Sequence, residues 1–85
     1  MQTFQHVVKD PDGLHARPAG LLVKCAQGCC SDIQIVANDK TVDAKRLFAV
    51  MGLCVKQSEN ITFRIEGEDE QNDCLRLEAF CRENI

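Results

Sequence analysis

The chain has 85 residues, with 13 acidic against 10 basic side chains and a net charge of −3. That length holds one small domain, residues 1–85, without a linker or a second core. The acidic balance argues against a nucleic-acid partner. No segment is long and apolar enough for membrane insertion, and the start Met1-Gln2-Thr3-Phe4 has neither a charged n-region nor an apolar h-region, so a cytosolic protein is expected.

In chain order, Thr3 to Lys9 reads as a strand with Phe4, His6 and Val8 on one face. A glycine-opened loop follows, then a helix from Ala16 to Gln27 with Gly28 as its C-cap. Asp32 to Ala37 alternates as a second strand, with Ile33 and Ile35 inward. A turn at Asn38-Asp39 leads to a short strand near Lys40-Thr41-Val42; Asp is a poorer second turn residue than Gly, so a loose hairpin is expected. A short helix spans Leu47 to Leu53, a strand Asn60 to Glu66, and a last helix Asp69 to Glu83 with Cys74, Leu77 and Cys81 on one side. His6 shares the inward parity of Phe4 and Val8, which fits a partly buried strand histidine with a hydrogen-bond partner. The order is βαββαβα, an α/β (α+β) pattern in which three helices suffice to cover one face of four strands.

Within this frame, Gly13-Leu14-His15-Ala16-Arg17-Pro18-Ala19-Gly20 places an imidazole at the threshold of a helix. Pro18 fits the first turn, where a missing N–H costs nothing. Orphan N–H groups and the positive end of the helix dipole converge on such a position, and the Arg17 guanidinium lies one step further on. A neutral imidazole is a good nucleophile toward phosphorus, and phosphoryl transfer asks the protein mainly for position and positive charge. His15 is the expected phosphoryl acceptor, the Arg17 side chain the expected phosphate stabiliser, and the Ala16 and Arg17 backbone amides the expected anion cradle. The same field disfavours the imidazolium, so the neutral, nucleophilic ring is the expected form. No metal and no other cofactor is needed.

Gly-Leu-His-Ala-Arg-Pro-Ala resembles the active-site loop of the HPr family, the histidine-containing phosphocarriers of the bacterial sugar phosphotransferase system. The resemblance runs essentially end to end, through Pro11, Asn38-Asp39-Lys40, Ala44-Lys45-Arg46-Leu47-Phe48 and Glu66-Gly67-Glu68-Asp69-Glu70. It implies an open-faced sandwich with a four-stranded antiparallel sheet, and transfer through Nδ1 of His15. The partners it implies are phosphorylated Enzyme I as donor and the A domain of a sugar-specific Enzyme II as acceptor. The protein would then be a carrier and not an enzyme. The docking patch it implies comprises Gly20, Leu21 and Lys24 of the first helix with Leu47, Phe48 and Met51 of the short one. A second reading keeps the phosphorylation and makes the chain a regulatory module for a transcription factor or metabolic enzyme.

Two features depart from the family. Arg46 stands where many Gram-positive relatives carry a regulatory serine; with no hydroxyl there, serine-based regulation at that position is excluded. Arg46 is also a poor N-cap at the wrong end of the helix dipole, with Asp43 placed to offset it. Cys54 and Ser58 stand where related chains often use glycine, which puts the local turns in question. Six cysteines, at 25, 29, 30, 54, 74 and 81, lack the paired spacing of a zinc site and are expected as free thiols in a monomer. A redox role for Cys25, Cys29 and Cys30 is the weakest alternative.

Overall fold

The computed structural model describes residues 1–85. The chain forms β1 (Gln2–Val7), α1 (Ala16–Gln27), β2 (Asp32–Ala37), β3 (Lys40–Asp43), α2 (Leu47–Met51), β4 (Asn60–Glu66) and α3 (Glu70–Asn84). The boundaries of α1, β2 and β4 fall where the apolar periodicity puts them. β1 begins and ends earlier than the pattern in Thr3 to Lys9, because Lys9 leaves the ladder and donates its N–H to the Ile85 carbonyl at 2.7 Å. α2 stops at Met51, two residues short of Leu53, and α3 is shifted one residue onward at each end.

All strand pairings are antiparallel, in the order β1-β4-β2-β3. β4 is therefore central although it is last in sequence. Alternation sends Ile61, Phe63 and Ile65 to the covered face, where they join Ile33 and Ile35 of β2, Leu22 and Ala26 of α1, and Leu77 and Cys81 of α3 in one apolar core. Each large side chain buried there contributes about 1.5–3 kcal/mol. Phe4 stacks on Phe63 with ring centroids 4.6 Å apart. The opposite face carries exposed Thr3, Gln5, Gln34 and Arg64 and is left to solvent. This is the open-faced sandwich with three helices on one side.

The β2–β3 hairpin is tight and not loose. Asn38 and Asp39 both adopt positive φ (50° and 63°), the two-residue turn whose twist matches the strands. Asn38 Nδ2 donates to the Leu53 carbonyl at 2.8 Å, and Lys40 Nζ to that of Gly52 at 3.1 Å, so the turn is tied to the segment after α2. Gly28 is the C-cap of α1, as expected, and holds a right-handed conformation (φ −79°). Its N–H continues the helical bonding to Lys24 and Cys25, and the Arg76 guanidinium donates to its carbonyl at 3.0 Å.

Asp73 is almost fully buried at 4% exposure and joins α3 to the start of β2. Its Oδ2 accepts the Ser31 hydroxyl at 2.6 Å and the N–H groups of Ser31 and Cys30 at 3.0 and 3.2 Å. Burial pushes this carboxyl up, but the bonds from Ser31, Cys29 and Cys30 outweigh it and hold it below the ordinary carboxylate range. His6, on β1, is half-buried and leaves its Nε2 without a partner; burial pushes its pKa down, opposed by a hydrogen bond to the Ile85 backbone. All six cysteines are free. Cys74 and Cys81 face the core, where burial pushes their thiols up to about 11 and about 12.

Candidate functional site

The β1–α1 loop is set by Gly13. It adopts φ +70°, and a Cβ there would lie 2.3 Å from the Val55 carbonyl oxygen and 2.8 Å from Lys56 Cα. Only glycine permits that approach. Leu14 then donates its N–H to Val55 at 2.9 Å and buries its side chain, which fixes the residue that follows.

That residue is His15, the N-cap of α1, in extended conformation (φ −84°, ψ −174°). Its carbonyl accepts the Ala19 N–H at 3.0 Å, while its ring caps nothing and stands exposed. The N–H groups of Ala16 and Arg17 take no acceptor within the protein, and Pro18 has none to offer. The Arg17 guanidinium is exposed and forms no ion pair. An imidazole, two free amides and an unpaired cation thus share one helix start, an arrangement complementary to an anionic tetrahedral group.

One neighbour is absent from the motif. Asp10 Oδ2 lies 3.3 Å from His15 Nε2. The Asp10 carboxyl is held below its ordinary value, chiefly by the Asp12 N–H on its other oxygen and further by His15. This carboxylate sets a negative charge beside the ring, opposite in sign to the positive end of the helix dipole. The depression around His15, about 300 Å³, is lined by Asp10, Arg17, Pro18, Leu21, Glu83 and Asn84. Glu83 and Asn84 arrive from the end of α3. Nothing local in the sequence marks them, because only the packing of α3 against β1 and α1 brings them near. Asp10, Asp12 and His15 are also the one group of donor side chains close enough to share a cation, within 4.8 Å of one another. Asp10 is already engaged there by the Asp12 amide and His15.

The six residues singled out for docking lie on α1 and α2, which pack on each other. Phe48 is 84% exposed, and Leu21 and Leu47 are exposed in part. Gly20 and Met51 are half-buried, and Met51 packs on the core. Lys24 is exposed in the last turns of α1. Gln27 Nε2 donates to the Lys45 carbonyl at 3.0 Å and holds the start of α2 against the end of α1. Arg46 faces solvent as the N-cap of α2, and Asp43 stands 3.8 Å from its Nε.

Residues 2–83 match the family model described as the PTS HPr component phosphorylation site. The phosphocarrier protein HPr of Buchnera aphidicola subsp. Acyrthosiphon pisum is 47% identical over 82 residues, 94% of this chain and 96% of that one. The crystal structure of an HPr from Thermoanaerobacter tengcongensis superposes with a TM-score of 0.92 at 32% identity, covering 99% of this chain and 94% of that one. The catabolite repression protein Crh of Bacillus subtilis, seen as a domain-swapped dimer, gives 0.76 at 34% identity over 100% and 98% of the two chains. With this sheet order and this loop already in place, the chain belongs to the HPr family of the phosphotransferase system, a phosphocarrier and not an enzyme.

Proposed function

We propose that His15 accepts a phosphoryl group on Nδ1 from phosphorylated Enzyme I and passes it to the A domain of a sugar-specific Enzyme II. The observation that carries this reading is the exposed His15 ring beside two unpaired amides, of Ala16 and Arg17, and an unpaired Arg17 guanidinium. With Nε2 facing Asp10, Nδ1 is the nitrogen left for attack. The amides and Arg17 meet the phosphoryl oxygens and stabilise charge spread over them, so that positioning and electrostatics do the work that bond chemistry does not need. Partners dock on the exposed apolar side chains of Leu21, Leu47 and Phe48, with Gly20, Met51 and Lys24 completing the patch. The protein works in the cytoplasm as a monomer.

Incubation with Enzyme I and phosphoenolpyruvate, followed by intact mass and an acid-lability test, checks the acceptor. An acid-labile phosphate on the wild type and none on His15→Ala is expected; equal gain by both would refute the assignment. The likeness to Crh, a protein named for catabolite repression, supports a second reading, in which phosphorylated His15 controls a regulatory or metabolic protein. Acceptance from Enzyme I without onward transfer to any A domain would favour it.

A further inference from the structure

Asp10 is the most heavily tied residue of the β1–α1 loop. Its N–H donates to the Ile85 carbonyl at 3.1 Å, its carbonyl accepts the Gly13 N–H at 2.9 Å, and its Oδ1 accepts the Asp12 N–H at 2.9 Å. These bonds fix the carboxylate and leave Oδ2 aimed at His15 Nε2, 3.3 Å away. Asp10 is partly covered, at 26% exposure, and the His15 ring beside it is exposed at 40%.

An ionised carboxylate only accepts hydrogen bonds. Held at Nε2, it places the ring proton there, and the lone pair then belongs to Nδ1. We propose that Asp10 is a positioning residue for phosphoryl transfer, which holds the proton on His15 Nε2, presents Nδ1 as the nucleophile and balances the ring's charge once phosphorus is attached. This rests on the reading of His15 as acceptor. In the step, the Nδ1 lone pair forms the new N–P bond while the P–N bond to the donor breaks, and the electron pair leaves with the donor nitrogen. No proton need leave His15. The phosphorylated ring keeps Nε2–H and carries a positive charge, which faces the Asp10 carboxylate. On return transfer the same bond breaks and the neutral ring is restored with its proton on Nε2.

The alternative is that Asp10 only knots the loop through the Asp12 amide. Asp10→Asn and Asp10→Ala separate the two, with potassium phosphoramidate as a small donor that needs no docking surface. Long-range proton–nitrogen NMR of the His15 side chain reads the tautomer, and intact mass reads the rate of phosphorylation. The wild type is expected as the Nε2–H tautomer. Asp10→Ala should become a mixture, while Asp10→Asn keeps the preference through its amide oxygen and loses the charge. Both variants should accept phosphate roughly three- to tenfold more slowly. An unchanged rate in a folded Asp10→Asn would overturn the charge role, and an unchanged tautomer in Asp10→Ala would overturn the proton-holding role. If Asp10→Ala fails to fold, the Asp10→Asn rate decides the charge role, and Asp10→Ser, whose one hydroxyl can still accept the Asp12 N–H, replaces Asp10→Ala in reading the tautomer. A wild type that takes no phosphate from phosphoramidate or from Enzyme I would remove the acceptor reading itself; that failure differs from equal rates across all three proteins, which removes Asp10 alone.

Discussion

Gly13 passes so closely under Val55 that a β-carbon on it would meet the Val55 carbonyl oxygen at 2.3 Å. This approach, with the Leu14–Val55 hydrogen bond, sets where α1 begins and hence where the His15 ring stands. Gly13→Ala must both strain a positive φ and push aside the Val55–Lys56 backbone between α2 and β4, at a cost of about 2–4 kcal/mol. Thermal unfolding should show a matching loss, and phosphate uptake by the variant that remains folded should slow. A variant as stable as the wild type would mean that the loop has room it does not show.

The Asp73–Ser31 contact is the principal buried polar joint of the fold. Because its folded pKa is depressed, Asp73 contributes stability that is fully present above the unfolded carboxylate value, near 3.8. That contribution is lost as pH falls through the lower folded value. Asp73→Asn should therefore cost about 1–3 kcal/mol at neutral pH. In urea titrations from neutral pH downward, the gap between wild type and variant should narrow only below about pH 4. A gap independent of pH would show that Asp73 acts by packing and not by charge.

Cys54 and Ser58 hold φ at 53° and 73° on the surface. A left-handed conformation costs a side-chain-bearing residue about 1–2 kcal/mol, of which glycine gives back roughly half after its larger chain entropy is counted. Ser58→Gly and Cys54→Gly should each raise stability by about 0.5–1 kcal/mol. Denaturant midpoints check this, and a fall in either would show that the native side chain makes a compensating contact.

Phe48 is the most exposed large apolar side chain. Phe48→Ala should change stability by less than about 0.5 kcal/mol, as expected of an exposed position. If the patch docks partners, calorimetry against Enzyme I should show a loss of about 1–3 kcal/mol in binding. Large destabilisation with normal binding would return Phe48 to the core.

The elements whose periodicity is local were legible in the residues. Pro18 and the apolar spacing through Ala26 bound α1, and the alternation of Ile61, Phe63 and Ile65 marks β4. The central place of β4 was not legible by periodicity, since pairing with both β1 and β2 is a long-range choice that alternation does not encode. The tightness of the hairpin is not legible in the Asn-Asp pair alone: both residues adopt positive φ, and long-range side-chain bonds from Asn38 and Lys40 hold the turn. Half of the site was visible: His15, Ala16, Arg17 and Pro18 are contiguous, and helix-start chemistry assigns them. Asp10, Glu83 and Asn84 were not, because a loop bend and the end of α3 bring them to the ring.

The measurement that bears most directly on the central claim is phosphoenolpyruvate-dependent sugar phosphorylation in a system rebuilt from Enzyme I, a sugar-specific Enzyme II and this protein. Sugar phosphate should form with the wild type and fall to background with His15→Ala or with the protein left out. Formation at the wild-type rate with His15→Ala would contradict a phosphoryl group that travels through His15.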